Sequence, residues 1–144
     1  MTETAKNIAS SRECALIAAK AADERKATDI MVQEVKELVS STDYFVIATA
    51  ANNRQVAAIV DEVEEQVRVQ GGIKPLHREG LNDGTWALLD YGDIIVHVFQ
   101  PEARDFYRLE TLWNDAPVLD LKEAGITDAE YSDRIAKLLG EEEA

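Results

Sequence analysis

The chain has one cysteine and two histidines in 144 residues, and each scarcity removes a class of chemistry. Cys14 cannot form an internal disulfide and has no CxxC partner, so a disulfide framework and a structural zinc site are excluded. A reducing compartment, most simply the cytoplasm, is expected. Basic residues are also few: 15 Lys and Arg stand against 28 Asp and Glu, a formal net charge of −13. Nucleic acids and anionic membranes are held by cationic side chains that neutralise phosphate and release counterions, so neither is expected as a direct partner. No apolar run approaches the length of a membrane span. Glu3, Lys6, Arg12, Glu13 and Lys20 interrupt the Ala-rich N-terminus too often for a signal peptide, and residues 1–7 read as a flexible tail.

What is present suits one globular domain: 46% apolar and 30% charged residues can build a core and a soluble surface. Ala15, Leu16, Ala19 and Ala22 recur at helical spacing between Ser11 and Arg25. Ala27 to Val32 reads as a strand, Glu34 to Val39 is ambiguous, and Tyr44 to Thr49 is an almost unbroken β-branched and aromatic run, as in a strand buried on both faces. Asn52-Asn53 then caps a helix whose apolar stripe is Val56, Ile59, Val60, Val63 and Val67, stopped at Gly71-Gly72. Thr85 to Asp90 and Asp93 to Phe99 predict a hairpin turning at Tyr91-Gly92, and Pro101 opens a short helix through Tyr107. Near the end, Thr127 and Glu130 form a capping-box pattern ahead of a helix carrying Tyr131, Ile135, Leu138 and Leu139, followed by the acidic Glu141-Glu142-Glu143. The alternation predicts a single α/β domain, a mixed β-sheet flanked by helices, with residues 120–144 as an acidic C-terminal extension.

Enzymatic signatures are sparse. No Gly-x-Ser-x-Gly elbow surrounds Ser40 or Ser41, Cys14 reads as a small buried side chain, and neither glycine cluster matches a phosphate-binding loop. A metal cluster can be drawn on paper from His77, His97, Asp90, Asp93 and Asp43, but no pair shares a ligand motif and Asp is common beside turns. That cluster defines the alternative reading, a metal-dependent nucleotidyltransferase or phosphohydrolase. His97 falls on one strand face with Ile95 and Phe99, as either a functional or a structural histidine.

The unusual feature is a concentration of aromatics. Trp86, Tyr91, Phe99, Phe106, Tyr107 and Trp113, six of nine in the chain, fall within 28 residues. Residues 77–115 also hold three Arg against eight acids, a balance of −5. An aromatic patch in an acidic surround points to a basic protein partner, with charge steering the encounter and aromatics anchoring it.

These blocks carry a family resemblance. Asp29-Ile30, Ser41 to Ile47, Arg54-Gln55-Val56, Pro75 to Gly80, the long run Trp86 to Phe99 and the run Arg104 to Trp113 are similar in order and spacing to the ribosomal silencing factor family, RsfS or Iojap, over residues 8–119. The resemblance implies a nucleotidyltransferase-like fold without its catalytic residues, since Asp43 stands alone and no Gly-Ser pair precedes it. It implies a cytoplasmic factor that is not an enzyme and needs no cofactor or metal. Such a factor binds the fourteenth protein of the large ribosomal subunit, blocks joining of the small subunit, and represses translation under nutrient limitation. The expected partner-binding residues are Trp86, Leu88, Asp90, Tyr91, Asp93, His97, Glu110 and Trp113. Each also has a plain structural reading: Leu88 and Trp113 as core, Asp90 and Asp93 as turn formers, His97 as a strand neighbour. The same face offers a second use, pairing two copies as a homodimer off the ribosome.

Overall fold

The structure, a computed structural model, describes residues 9–140; the expected N-terminal tail and the Glu141–Glu143 run lie outside the described residues. The Ser10 hydroxyl accepts the Glu13 N–H and the Glu13 carboxylate accepts the Ser10 N–H, a reciprocal cap that starts α1 (Ser11–Glu24). Its inner face is almost all alanine: Ala15, Ala18, Ala19 and Ala22 are buried, and their small side chains let the helix lie close on the sheet. Strand β1 (Thr28–Glu34) leads through a turn to β2 (Tyr44–Thr49), every residue of which is buried. The Asn52 side chain accepts the Gln55 N–H at 2.8 Å and starts α2 (Asn53–Gln66), with Val56, Ile59, Val60 and Val63 buried as one stripe. A π-helical turn, Val67–Gly71, ends this helix.

Three strands follow, β3 (His77–Glu79), β4 (Trp86–Asp90) and β5 (Ile94–Phe99). The five strands form one sheet in the order β1-β2-β5-β4-β3. β2 and β5 run parallel, and the other neighbours are antiparallel. This is the mixed α/β sheet that the pattern of elements predicts. The hairpin differs by one residue from the expectation. Tyr91 N–H donates to the Ile94 carbonyl at 2.9 Å, so the two turn residues are Gly92 and Asp93, with Gly92 at φ 91° supplying the positive φ that a two-residue turn needs.

The sheet has two unequal coverings. On one face α1 and α2 bury Ile30, Val32, Val46, Ala48, Ala87, Leu89, Val96 and Val98. On the other, α3 (Pro101–Tyr107), α4 (Leu109–Leu112) and the following loop cover Val35, Phe45, Ile47 and Phe99, with Ala103 and Ala116 in the same cluster. This second cover is short. β4 is therefore only half enclosed, with Trp86, Leu88 and Asp90 partly exposed while Ala87 and Leu89 are buried.

The C-terminal segment departs from the sequence expectation. The Thr127–Glu130 capping box does not form: residues 126–132 lack regular structure, and the last helix, α5 (Asp133–Leu138), begins after Ser132. The reason is the free edge of β1, whose polar groups need partners. Glu34 N–H donates to the Pro117 carbonyl, Leu119 N–H to the Val32 carbonyl and Asp29 N–H to the Glu130 carbonyl, at 2.8, 2.9 and 2.9 Å. Leu119, Leu121 and Ile126 join the main core and Ile135 is fully buried, so this stretch straps the sheet edge instead of hanging from it.

Gly80 marks a tight approach between the loop before β4 and the strand itself. It has φ +79°, and an added Cβ would stand 2.0 Å from the Trp86 carbonyl oxygen, whereas Gly125 (φ +83°) has open space around it. Gly80→Ala is expected to destabilise by about 3 kcal/mol or more and Gly125→Ala by about 1 kcal/mol. Urea unfolding of the two variants checks this, and equal costs would mean the close approach is absent.

A candidate protein-binding face

The aromatic side chains meet on the half-covered side of the sheet. Alternation along β4 and β5 sends Trp86, Leu88, Ile95, His97 and Phe99 to this side. Trp86 stacks on Phe99 at 4.7 Å between ring centres and lies against Tyr107 at 4.8 Å. His97 packs edge-on against Phe45 at 5.2 Å, Phe45 meets Trp113 at 6.3 Å, and Phe106 sits edge-on to Tyr107 at 4.9 Å. The result is a continuous aromatic band from Trp113 across β2, β5 and β4 to Phe106. Its outer part is open: Tyr107 is 50% and Phe106 79% exposed, and Leu112, next to Trp113 in sequence, is 66% exposed.

His97 anchors the band from below. The Trp86 indole N–H donates to His97 Nδ1 at 3.1 Å, which puts the imidazole proton on Nε2. The ring is 5% exposed. Burial, aided by the nearby Arg104 charge, pushes its pKa down to about 3. His97 is thus a neutral structural base that sets the tilt of Trp86, and it does not itself reach a partner.

Five of the eight residues expected at the site share this face: Trp86, Leu88, Asp90, His97 and Trp113. Asp90 is held by the turn, its carboxylate accepting the Gly92 N–H at 2.8 Å. Asp93 is exposed at the hairpin tip, at the far end of the strands from Trp86. Two residues are buried, which departs from the expectation that they contact a partner. Tyr91 points to the opposite side into the helix-covered core, where burial first and then Glu64 raise its phenol pKa. Glu110 is fully buried and paired with Arg104 at 2.9 Å and Arg134 at 2.6 Å. The exposed Phe106, Tyr107 and Leu112 are absent from the expected partner-binding set. Their signal was the adjacency of two aromatics on a helix too short to turn both inward.

The residues drawn into a metal cluster are dispersed. His77 Nε2 is 2.6 Å from Glu79 on exposed β3, Asp43 accepts the Ser11 hydroxyl at 3.0 Å, and His97 and Asp90 are engaged as described. Among the described residues no group of three His, Cys, Asp or Glu is placed to hold a metal ion. None of their helices is long and apolar enough to cross a membrane.

Fold and surface together define a small α/β protein with an open aromatic sheet face. The family described as "Ribosomal silencing factor during starvation", RsfS, matches residues 8–139. A Bacillus subtilis (strain 168) ribosomal silencing factor RsfS is 40% identical over 105 residues, 73% of this chain and 88% of its own. A Chromobacterium violaceum crystal structure superposes with a TM-score of 0.70 at 33% identity, covering 73% of this chain and 87% of that one. A Bacillus halodurans crystal structure gives 0.65 at 33% identity, covering 76% and 98%. This chain belongs to the RsfS ribosomal silencing factor family, and the match runs past residue 119 to include α5.

The His97 environment gives a pH signature. Folded, the imidazole titrates near pH 3; unfolded, near the ordinary value of about 6.5. Its contribution to stability is therefore complete above about pH 6.5 and drains away as pH falls towards 3, because the unfolded chain takes the proton first. Between pH 7 and pH 4 the wild-type protein should lose about 3 kcal/mol more than a His97→Gln variant. Urea denaturation at both pH values measures this, and parallel losses would show that His97 is open to water in the fold.

Proposed function

We propose that this protein silences ribosomes by binding the fourteenth protein of the large subunit, so blocking the small subunit sterically and repressing translation when nutrients are limiting. The observation that carries the reading is the open aromatic band on the face opposite α1 and α2, in a chain of the silencing-factor family. Exposed Tyr107, Phe106 and Leu112 around the partly buried Trp86 and Trp113 have the make-up of an interface centre, a rigid apolar patch that desolvates on contact. Exposed acids surround it, including Glu102, Asp105 and Asp115. They suit a basic ribosomal protein and repel the phosphate backbone of nearby RNA. Occupancy alone suffices for silencing, so no catalytic step and no cofactor enter, and the protein works in the cytoplasm. Off the ribosome the same band serves to pair two copies.

The test is sedimentation with purified large subunits together with a subunit-joining assay. Wild-type protein should co-sediment and slow joining. Tyr107→Ala and Leu112→Ala, both at exposed positions, should each weaken binding about tenfold with little change in melting temperature. Val69→Ala, equally exposed but beyond the end of α2, should bind normally. Absence of co-sedimentation by the wild-type chain would sink the proposal. Mass measurement of Trp86→Ala against wild type in the absence of ribosomes reads the pairing of copies.

A further inference from the structure

The C-terminal strap reaches α3 and α4 through Arg134. Arg134, on α5, places Nη1 2.6 Å from Glu110 Oε2, while its Nη2 lies 3.1 Å from Asp105 Oδ1 and donates to the Arg104 carbonyl at 3.4 Å. Glu110 also holds Arg104, whose Nε is 2.9 Å away and whose Nη1 donates to the Thr49 hydroxyl at 2.8 Å. A fully buried carboxylate thus sits between two guanidiniums, one from α3 and one from a segment more than twenty residues further along the chain. The three contacts of Arg134 all fall on the elbow between α3 and α4. That elbow turns at Arg108, a non-glycine residue at φ 48°, a conformation that the surroundings must hold in place. Phe106 and Tyr107 immediately precede it, and Leu112 and Trp113 close the short helix that follows it.

Energetics say what such a triad is for. Burying charges costs desolvation that the ion pairs barely recover, and apolar replacements of similar volume are often as stable. Arg104 Nη2 is moreover buried without a partner, a further cost. What an ion triad does better than apolar packing is to fix directions: Glu110 meets a guanidinium on each of two sides, Arg104 by a hydrogen bond and Arg134 by an ion pair, only when α3, α4 and α5 stand in one arrangement. The strap is independently pinned near the same point. Asp29 Oδ1 accepts the Ser132 N–H at 2.7 Å, and the Tyr131 hydroxyl donates to the Ile30 carbonyl at 2.9 Å, so Arg134 is delivered from a fixed anchor.

We infer that Arg134 is a positioning residue: through Glu110 and Asp105 the C-terminal strap sets the α3–α4 elbow, and with it the presentation of Tyr107, Phe106 and Leu112 to the partner. This rests on the proposed role of the aromatic band.

The experiment uses the full-length protein with Arg134→Met, which keeps the stem and removes the charge, and Arg134→Lys, which returns one cation to Glu110. Hydrogen exchange over residues 105–113, thermal melting and binding to purified large subunits are read in parallel. Arg134→Met should speed exchange across the elbow and weaken binding by about threefold to thirtyfold, while exchange in β2 and β5 stays slow. Arg134→Lys should recover part of both effects, a rescue that loss of packing alone would not show. Should Arg134→Met fail to fold, Asp105→Asn and Arg134→Lys decide by the same readings, since Asp105 is 66% exposed. Unchanged exchange over 105–113, or wild-type binding by a variant whose elbow has loosened, overturns the inference. Failure of the wild-type chain to bind would overturn the functional reading instead, leaving the exchange comparison to judge the positioning role.

Discussion

Strand β2 has no exposed residue, and that constraint organises the molecule. A six-residue strand buried on both faces needs an apolar layer above and below, because each side chain left in water forfeits its share of burial energy. One layer is generous, with two fourteen-residue helices. The other is made from seven- and four-residue helices and a loop, enough for β1, β2 and β5 but not for β4. The aromatic band is what remains where the cover runs out. Large rings there bridge between the closed core and solvent, so the surface offered to a partner is continuous with the core that fixes its shape.

Polar groups under the short cover are handled by two devices. His97 stays neutral, its Nδ1 accepting from the Trp86 indole, which locks the ring that crosses from core to surface. The Glu110 carboxylate sits between two guanidiniums. Both choices cost stability relative to apolar packing and both fix orientation. Gln33 adds to the same effect: its amide donates to the Glu110 carbonyl at 2.9 Å, tying α4 to the edge strand. Under a thin cover, direction is supplied by hydrogen bonds because packing area is short.

How much of this the sequence disclosed follows from how strong each local signal is. The stripe Val56, Ile59, Val60 and Val63 and the run Tyr44 to Thr49 each satisfy one period over many residues, so α2 and β2 were legible. Tyr91 was not, because placing the turn one residue early made it a loop residue; with Gly92-Asp93 turning, it extends the strand alternation and faces the helices, as a one-residue slip requires. Glu110 was misread because α4 is too short to show a face, and the arginines that neutralise it stand 6 and 24 positions away. The Thr127 capping pattern lost to a competitor invisible in local sequence, the Asp29 N–H at the β1 edge, which takes the Glu130 carbonyl. Strand alternation sufficed to put Trp86, Leu88 and His97 on one side of the sheet, whereas the burial of Glu110 depends on charge pairing between distant segments.

The electrostatic side of the functional reading survives the burial of Glu110. Arg104 is buried with it, so one charge of each sign leaves the surface together, and residues 77–115 still carry two Arg against seven acids. Of those seven, six are exposed and Asp90 is partly so. Arg134 takes up some of the field of Asp105, but Glu102 and Asp115 flank the aromatic band on α3 and just beyond α4. On the proposed reading, a basic partner approaching this side would meet a negative field before touching the rings, and Trp86, held by His97, would lose little freedom on contact. Acidic rim and rigid centre would then act at different stages, the first on the rate of encounter and the second on the lifetime of the complex.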